Sequence, residues 1–212
     1  MRGLGLKTIA LFIPVLLAAF PPASVVRADD LQGASLVQHL REGGYVLLLR
    51  HAHSPASPPT KEIADESNLS LERQLDEQGR DTAKAMGKAI KKLHIPISLI
   101  LSSPTYRAIE TVRVAGLGIA QPTSQLSDGG QSMMRDAVSG QASWLRSTVA
   151  SQPKRGTNTL LVTHMPNIQT AFPDDAEGLS DGEMLIFRPD GAGAAKLVAK
   201  IKIEDWPGLA GD

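Results

Sequence analysis

Three apolar runs end in polar residues: YVLLLRH at 45–51, ISLILSSP at 97–104 and NTLLVTH at 158–164. Each is short and continuous, the pattern of a strand buried on both faces. Segments of helical character lie between them. LQGASLVQHLREGG places Leu31, Leu36, Val37 and Leu40 near helical spacing and stops at Gly43-Gly44. LDEQGRDTAKAMGKAIKKLH carries its acids early and its lysines late, and ends before Pro96, as the helix dipole favours. TYRAIETVRVAG predicts a helix ending at Gly116, and MMRDAVSGQASWLRSTVASQ a longer one weakened by Gly140. QPTSQLSDGG reads as a short strand plus loop, and EMLIFRPDGAGAAKLVAKI as two strands around Pro189-Asp190-Gly191. Strands alternating with helices predict an α/β fold: a mostly parallel central sheet with helices on both faces, a three-layer sandwich.

In such sheets ligands bind beyond the carboxyl ends of the strands. Arg50 and His51 end the first run, Ser102, Ser103 and Pro104 the second, Thr163 and His164 the third, and Arg107 lies one turn into the helix after the second. Two arginines and two histidines reach one rim if the strand order brings these strands together.

A phosphate monoester needs its dianion held, its phosphorus attacked in line and its leaving oxygen protonated. Guanidinium groups make charge-assisted bidentate bonds to phosphate and stay charged, which suits Arg50 and Arg107. A neutral imidazole is a competent nucleophile near pH 7, so His51 can form a phosphohistidine that water then hydrolyses. His164 would stabilise charge on an equatorial oxygen. No metal or cofactor is required. The helix that opens at SSPTYR offers backbone N–H groups to an anion. Ser54 and Ser103 could add hydroxyl donors and Arg73 a third positive contact. For the proton donor Asp128 is the first candidate, and Asp181 and Glu183 follow.

At this point the chain resembles the histidine phosphatase superfamily, which includes phosphoglycerate mutases and many phosphomonoesterases. RHAHS resembles its R-H-G-x-S/T motif, LERQLDEQGRDTAKAMGKAI its L-T-x-x-G-x-x-Q-A helix start, LSSPTYRAIETV its S-S-P-x-x-R-A-x-x-T pattern and LLVTHMPNI its second-histidine segment. The resemblance runs in order over about Tyr45 to Ile168, and RHAHS is similar to the R-H-A variant of small exported members. It implies His51 as nucleophile, Arg50 and Arg107 on the phosphate and His164 as the second pocket histidine. Ala52 departs from the usual glycine, PASPP stands where the family has tryptophan-asparagine, and Thr163 stands where glycine often precedes the second histidine.

The chain has 212 residues and no cysteine, which removes thiol nucleophiles and cysteine metal sites. Residues 1–28 have the layout of a secretory signal peptide: Arg2 and Lys7, then a 13-residue apolar core from Thr8 to Phe20 interrupted by Pro14, then Val26 and Ala28 as small residues before a cut. A bilayer-spanning helix needs roughly 20 residues. The expected mature chain is a single catalytic domain over residues 29–212, secreted or periplasmic. Without Arg2, Lys7 and Arg27 it carries 19 basic against 22 acidic residues. Neither a nucleic-acid surface nor a stable membrane span is expected of it; its expected partner is a small phosphorylated substrate, and the sequence carries no signal for oligomeric state.

Three further readings stay open. His51-x-His53 with His164 and an acid could bind zinc in a hydrolase. The same arginine cradle could recognise phosphate without turnover. A mutase is disfavoured by export and by the short substrate-covering region. His53 also reads as a solvated loop residue, His39 and His94 as helix-surface residues, Arg73 as an exposed helix residue, Asp128 as a turn former, and Met133-Met134 as packing.

Overall fold

Leu47 and Leu49 pack into one hydrophobic core, while Val46 and Leu48 pack into a second. All four are fully buried, because alternate residues of a strand face opposite sides of its sheet. That strand, β1 (Val46–Arg50), is therefore covered above and below. The computed structural model describes residues 31–128 and 135–211. The leader expected over residues 1–28 and the pair Met133-Met134 lie outside them.

The described residues form α1 (Gly33–Glu42), β1, α2 (Glu77–Lys92), β2 (Ile97–Ser102), α3 (Tyr106–Ala115), β3 (Gln121–Pro122), α4 (Arg135–Val149), β4 (Asn158–Thr163), α5 (Met165–Ala171), β5 (Met184–Pro189), β6 (Ala195–Ile201) and α6 (Trp206–Leu209). The strand order is β3-β2-β4-β1-β5-β6. β1 pairs in parallel with β4, β4 with β2, and β2 with β3. The hairpin β5–β6 joins the other side of β1 antiparallel. One core carries residues of α1, α2, α3 and α6, the other residues of α4 and α5. The expected three-layer α/β sandwich with a mostly parallel sheet is what forms.

This order answers the question posed by the strand ends. Arg50 is in register with Thr163, and Ser102 with Val162, so β2, β4 and β1 finish side by side. Backbone bonds continue just past the ends: Ser103 N–H donates to the Val162 carbonyl at 2.8 Å and His51 N–H to the Thr163 carbonyl at 3.0 Å. Three chain segments remote in sequence thus deliver their terminal side chains to one rim.

Two local details differ from the sequence reading. α3 begins at Tyr106, with Thr105 as its N-cap, so Arg107 is its second residue. The Tyr106 N–H, expected to be open to an anion, instead donates to Glu72 Oε2 at 2.9 Å.

Candidate active site

Arg107 lies between the two histidines. Its Nε donates to His51 Nε2 at 3.2 Å, and its Nη2 donates to His164 Nδ1 at 3.0 Å. The two imidazole centroids are 5.1 Å apart, edge to face. His51, Arg107 and His164 are all buried.

Their other bonds decide the tautomers. His51 Nδ1 lies 2.8 Å from the Ala52 carbonyl, which can only accept, so Nδ1 carries the proton and Nε2 the lone pair. His164 Nδ1 accepts from Arg107, so its Nε2 carries the proton and donates to Ser103 Oγ at 2.8 Å. Thr105 Oγ1 is 3.3 Å from the same nitrogen. Burial lowers the pKa of His51 to about 4, and the positive charges of Arg107 and Arg50 push in the same direction. Burial lowers His164 to about 3, assisted by Arg107 and His51. Both rings are neutral at neutral pH.

Each arginine has a carboxylate partner. Arg107 Nη2 donates to Asp128 Oδ2 at 2.5 Å. Arg50 donates from Nη1 to the Leu179 carbonyl at 2.7 Å, and its Nη2 pairs with Asp181 Oδ1 at 2.5 Å. Asp181 acts electrostatically on His51, and Asp128 on His164. Six of the residues singled out in the sequence, Arg50, His51, Arg107, Asp128, His164 and the second donor candidate Asp181, therefore converge.

Others take different places. Ser54 is buried and its hydroxyl donates to the Gln74 carbonyl at 2.8 Å, so its proton is directed at the chain. Ser103 Oγ accepts from His164 and lies 3.3 Å from the Thr105 N–H, which orients the ring and the start of α3. Arg73 is neither helical nor merely exposed. It clamps the carbonyls of Pro55 (Nε, 2.6 Å) and Ser54 (Nη2, 2.8 Å), and burial followed by the charge of Arg107 lowers its pKa. It also feels Asp181, Asp128 and Arg50, so its charge faces the site. His53 is tied to Asp76 Oδ2 at 2.7 Å, and Glu183 accepts from the Ser180 N–H at 2.9 Å as a turn former.

Supporting contacts that sequence reasoning missed hold the cluster in place. The Thr111 hydroxyl accepts from the Ala52 N–H at 3.1 Å. Asn167 Nδ2 donates to the Ser127 carbonyl at 2.6 Å and to Thr163 Oγ1 at 2.9 Å, while Thr163 donates to the Leu126 carbonyl at 2.8 Å. The segment that carries Asp128 is thereby fastened to the end of β4. Thr163, noted in the sequence only as a replacement for glycine, does that fastening.

No curated protein matches the chain. Solved structures do: the protein histidine phosphatase SixA complexed with tungstate shares 16% identity at a TM-score of 0.53, with 75% of this chain and 97% of that one covered. SixA from Agrobacterium tumefaciens shares 17% at 0.51, covering 74% and 97%. A phosphoserine phosphatase from Entamoeba histolytica in complex with phosphoserine shares 15% at 0.51, covering 76% and 98%. These are likenesses of fold. The profile of the histidine phosphatase superfamily (branch 1) matches residues 46–128, from the first residue of β1 to the carboxylate on Arg107. A sheet whose order gathers the strand ends and a profile that spans the RHAHS and SSPTYR segments agree: residues 46–128 of the chain are similar to the histidine phosphatase superfamily, and the fold around them is shared with solved histidine phosphatases.

Proposed function

We propose that the chain is a metal-independent phosphomonoesterase that works through a phosphohistidine on His51. The observation that carries this reading is the placement of Arg107 across two neutral imidazoles, with the His51 lone pair on Nε2 and its proton on Nδ1. Substrate phosphate would replace the imidazoles as acceptor for Arg107. Arg50 Nε is buried without a hydrogen-bond partner among the described residues, a donor that a bound anion can satisfy. Arg73 adds positive charge at the same place. The SixA structure that shares this fold holds tungstate, an oxyanion, which supports an oxyanion here.

In the reaction, His51 Nε2 gives its lone pair to phosphorus as the bond to the ester oxygen breaks. That oxygen takes a proton from a carboxyl group, and the alcohol departs. Water then attacks the phosphohistidine phosphorus and loses a proton to the same carboxylate, and phosphate leaves. Arg50, Arg107 and His164 stabilise the equatorial oxygens throughout. Asp128 is the proposed donor, and Asp181 on Arg50 holds the equivalent position on the other arginine. Asp128→Asn and Asp181→Asn separate the two: the donor's loss lowers kcat most for esters with poor leaving groups.

A zinc site is less well supported. His53 turns to Asp76, and the Arg107 guanidinium occupies the space between His51 and His164, where it would repel a cation. Export of the chain is proposed on residues 1–28 alone, and N-terminal sequencing of the secreted or periplasmic protein, expected to start at Asp29, tests it. For the activity the test is a phosphate-ester screen on residues 29–212 in the presence of a chelator. Turnover should persist; activity abolished by the chelator and restored by zinc would contradict the reading.

A further inference from the structure

A cavity of about 400 Å³ adjoins the phosphoryl cluster, lined by His53, Gln78, Thr82, Ser180, Asp181, Ile203 and Glu204. Asp181 belongs to both places, since it lines the cavity and pairs with Arg50. His53 lies two residues after His51.

The walls are built by close packing. A Cβ at Gly79 would meet the His53 carbonyl oxygen at 2.1 Å, so the first turn of α2 rests directly on residue 53. A Cβ at Gly182 would meet Ile203 Cγ2 at 2.7 Å, so the 180–182 turn rests on the segment bearing Glu204. The Gly182 N–H also donates to the His51 carbonyl at 2.9 Å, which locks that turn to the nucleophile's backbone. Such a cavity is preformed, and a preformed site loses little free energy to ordering when it binds.

Its lining has a chemical bias. It presents an amide, two hydroxyls, an imidazole and two carboxylates, with no lysine or arginine among the described residues that line it. Hydroxyl and ammonium groups find partners there, and a carboxylate meets the like charge of Glu204, Asp181 being already paired with Arg50. We propose that this cavity is the leaving-group subsite, and that it selects phosphate monoesters with hydroxylated or ammonium-bearing leaving groups over those whose leaving group carries a carboxylate. The inference rests on the phosphomonoesterase reading and names its substrate class. The phosphate sits on Arg50 and Arg107, and the remainder of the substrate extends past Asp181 into the cavity.

Glu204 is exposed and outside the phosphoryl cluster, so its charge can be reversed without disturbing the chemistry. The experiment compares kcat/KM for O-phosphoethanolamine, glycerol 1-phosphate, 3-phosphoglycerate and p-nitrophenyl phosphate in the wild type, Glu204→Gln and Glu204→Lys. The wild type should favour the first two over 3-phosphoglycerate by about tenfold or more, and Glu204→Lys should shrink that preference by about tenfold. Glu204→Gln should fall between them, and p-nitrophenyl phosphate turnover should stay within about threefold in all three. Turnover of p-nitrophenyl phosphate with an unmoved ratio, or a wild type that prefers 3-phosphoglycerate, overturns the inference alone. A wild type inert toward every ester overturns the phosphomonoesterase reading and this inference with it.

Discussion

His51 spends its Nδ1 proton on the carbonyl of the next residue, and that bond determines which nitrogen can attack. A nucleophilic imidazole must also be unprotonated, and here burial does the work, with Arg107 and Arg50 adding to it. NMR titration of the ring resonances should find both His51 and His164 neutral at pH 5.5, while a solvated histidine is mostly charged there. A midpoint near 6.5 for either ring would contradict the burial argument. At the same scale, Asn167 holds the Ser127 carbonyl and the Thr163 hydroxyl. Asn167→Ala should lower kcat about tenfold through misplacement of Asp128, with a smaller change in KM. Equal loss for substrates with good and poor leaving groups would mean that Asn167 supports the fold in general and not the proton donor.

Helices α2 and α3 approach so closely that a Cβ at Gly87 would meet the Ala115 carbonyl oxygen at 1.9 Å. Gly87→Ala should therefore destabilise by about 1–3 kcal/mol, although alanine favours a helix by about 1 kcal/mol. Gly140 in α4 has nothing within 4 Å of such a Cβ, so Gly140→Ala should stabilise by about 0.5–1 kcal/mol. Thermal melts of the two variants should move in opposite directions, and a shared direction would contradict the packing described for α2 and α3. The elements were legible in sequence where periodicity was strong. β1, β2, β4, the β5–β6 hairpin and the helices α1 to α4 follow apolar runs and stop signals. The short helices α5 and α6 were missed, because seven and four residues carry too little pattern to rise above a loop. For the site, a strand-end arginine or histidine is visible in a linear reading. The direction of a side chain is not: Ser54 turns to Gln74 and Arg73 to the Ser54 and Pro55 carbonyls. The pairing of Asp181 with Arg50 depends on β5 lying beside β1, a neighbour relation that no local pattern encodes.

At the scale of the whole molecule, two neutral buried histidines make stability depend on pH. Their folded pKa values, about 4 and about 3, lie below the value near 6.5 of an unfolded chain. Between those limits the unfolded state binds more protons, so stability is fully present above pH 6.5 and falls as the pH drops toward 4. Denaturant unfolding at pH 5 should give a free energy about 1–3 kcal/mol below that at pH 7, and His51→Ala should flatten the difference; an equal stability at both values would contradict the neutral pair. The sheet order β2-β4-β1 makes the site possible, since it brings residues 50–51, 107 and 163–164 together from three separate stretches of chain. The most direct measurement is to trap the intermediate: rapid quench in alkali during turnover of a labelled phosphate ester, followed by mass-spectrometric mapping of the acid-labile phosphoryl group. Phosphate on His51, absent in His51→Ala together with about a thousandfold or greater loss of turnover in a folded protein, is the predicted result. Full turnover in His51→Ala, or a phosphoryl group mapped to any other residue, would contradict it.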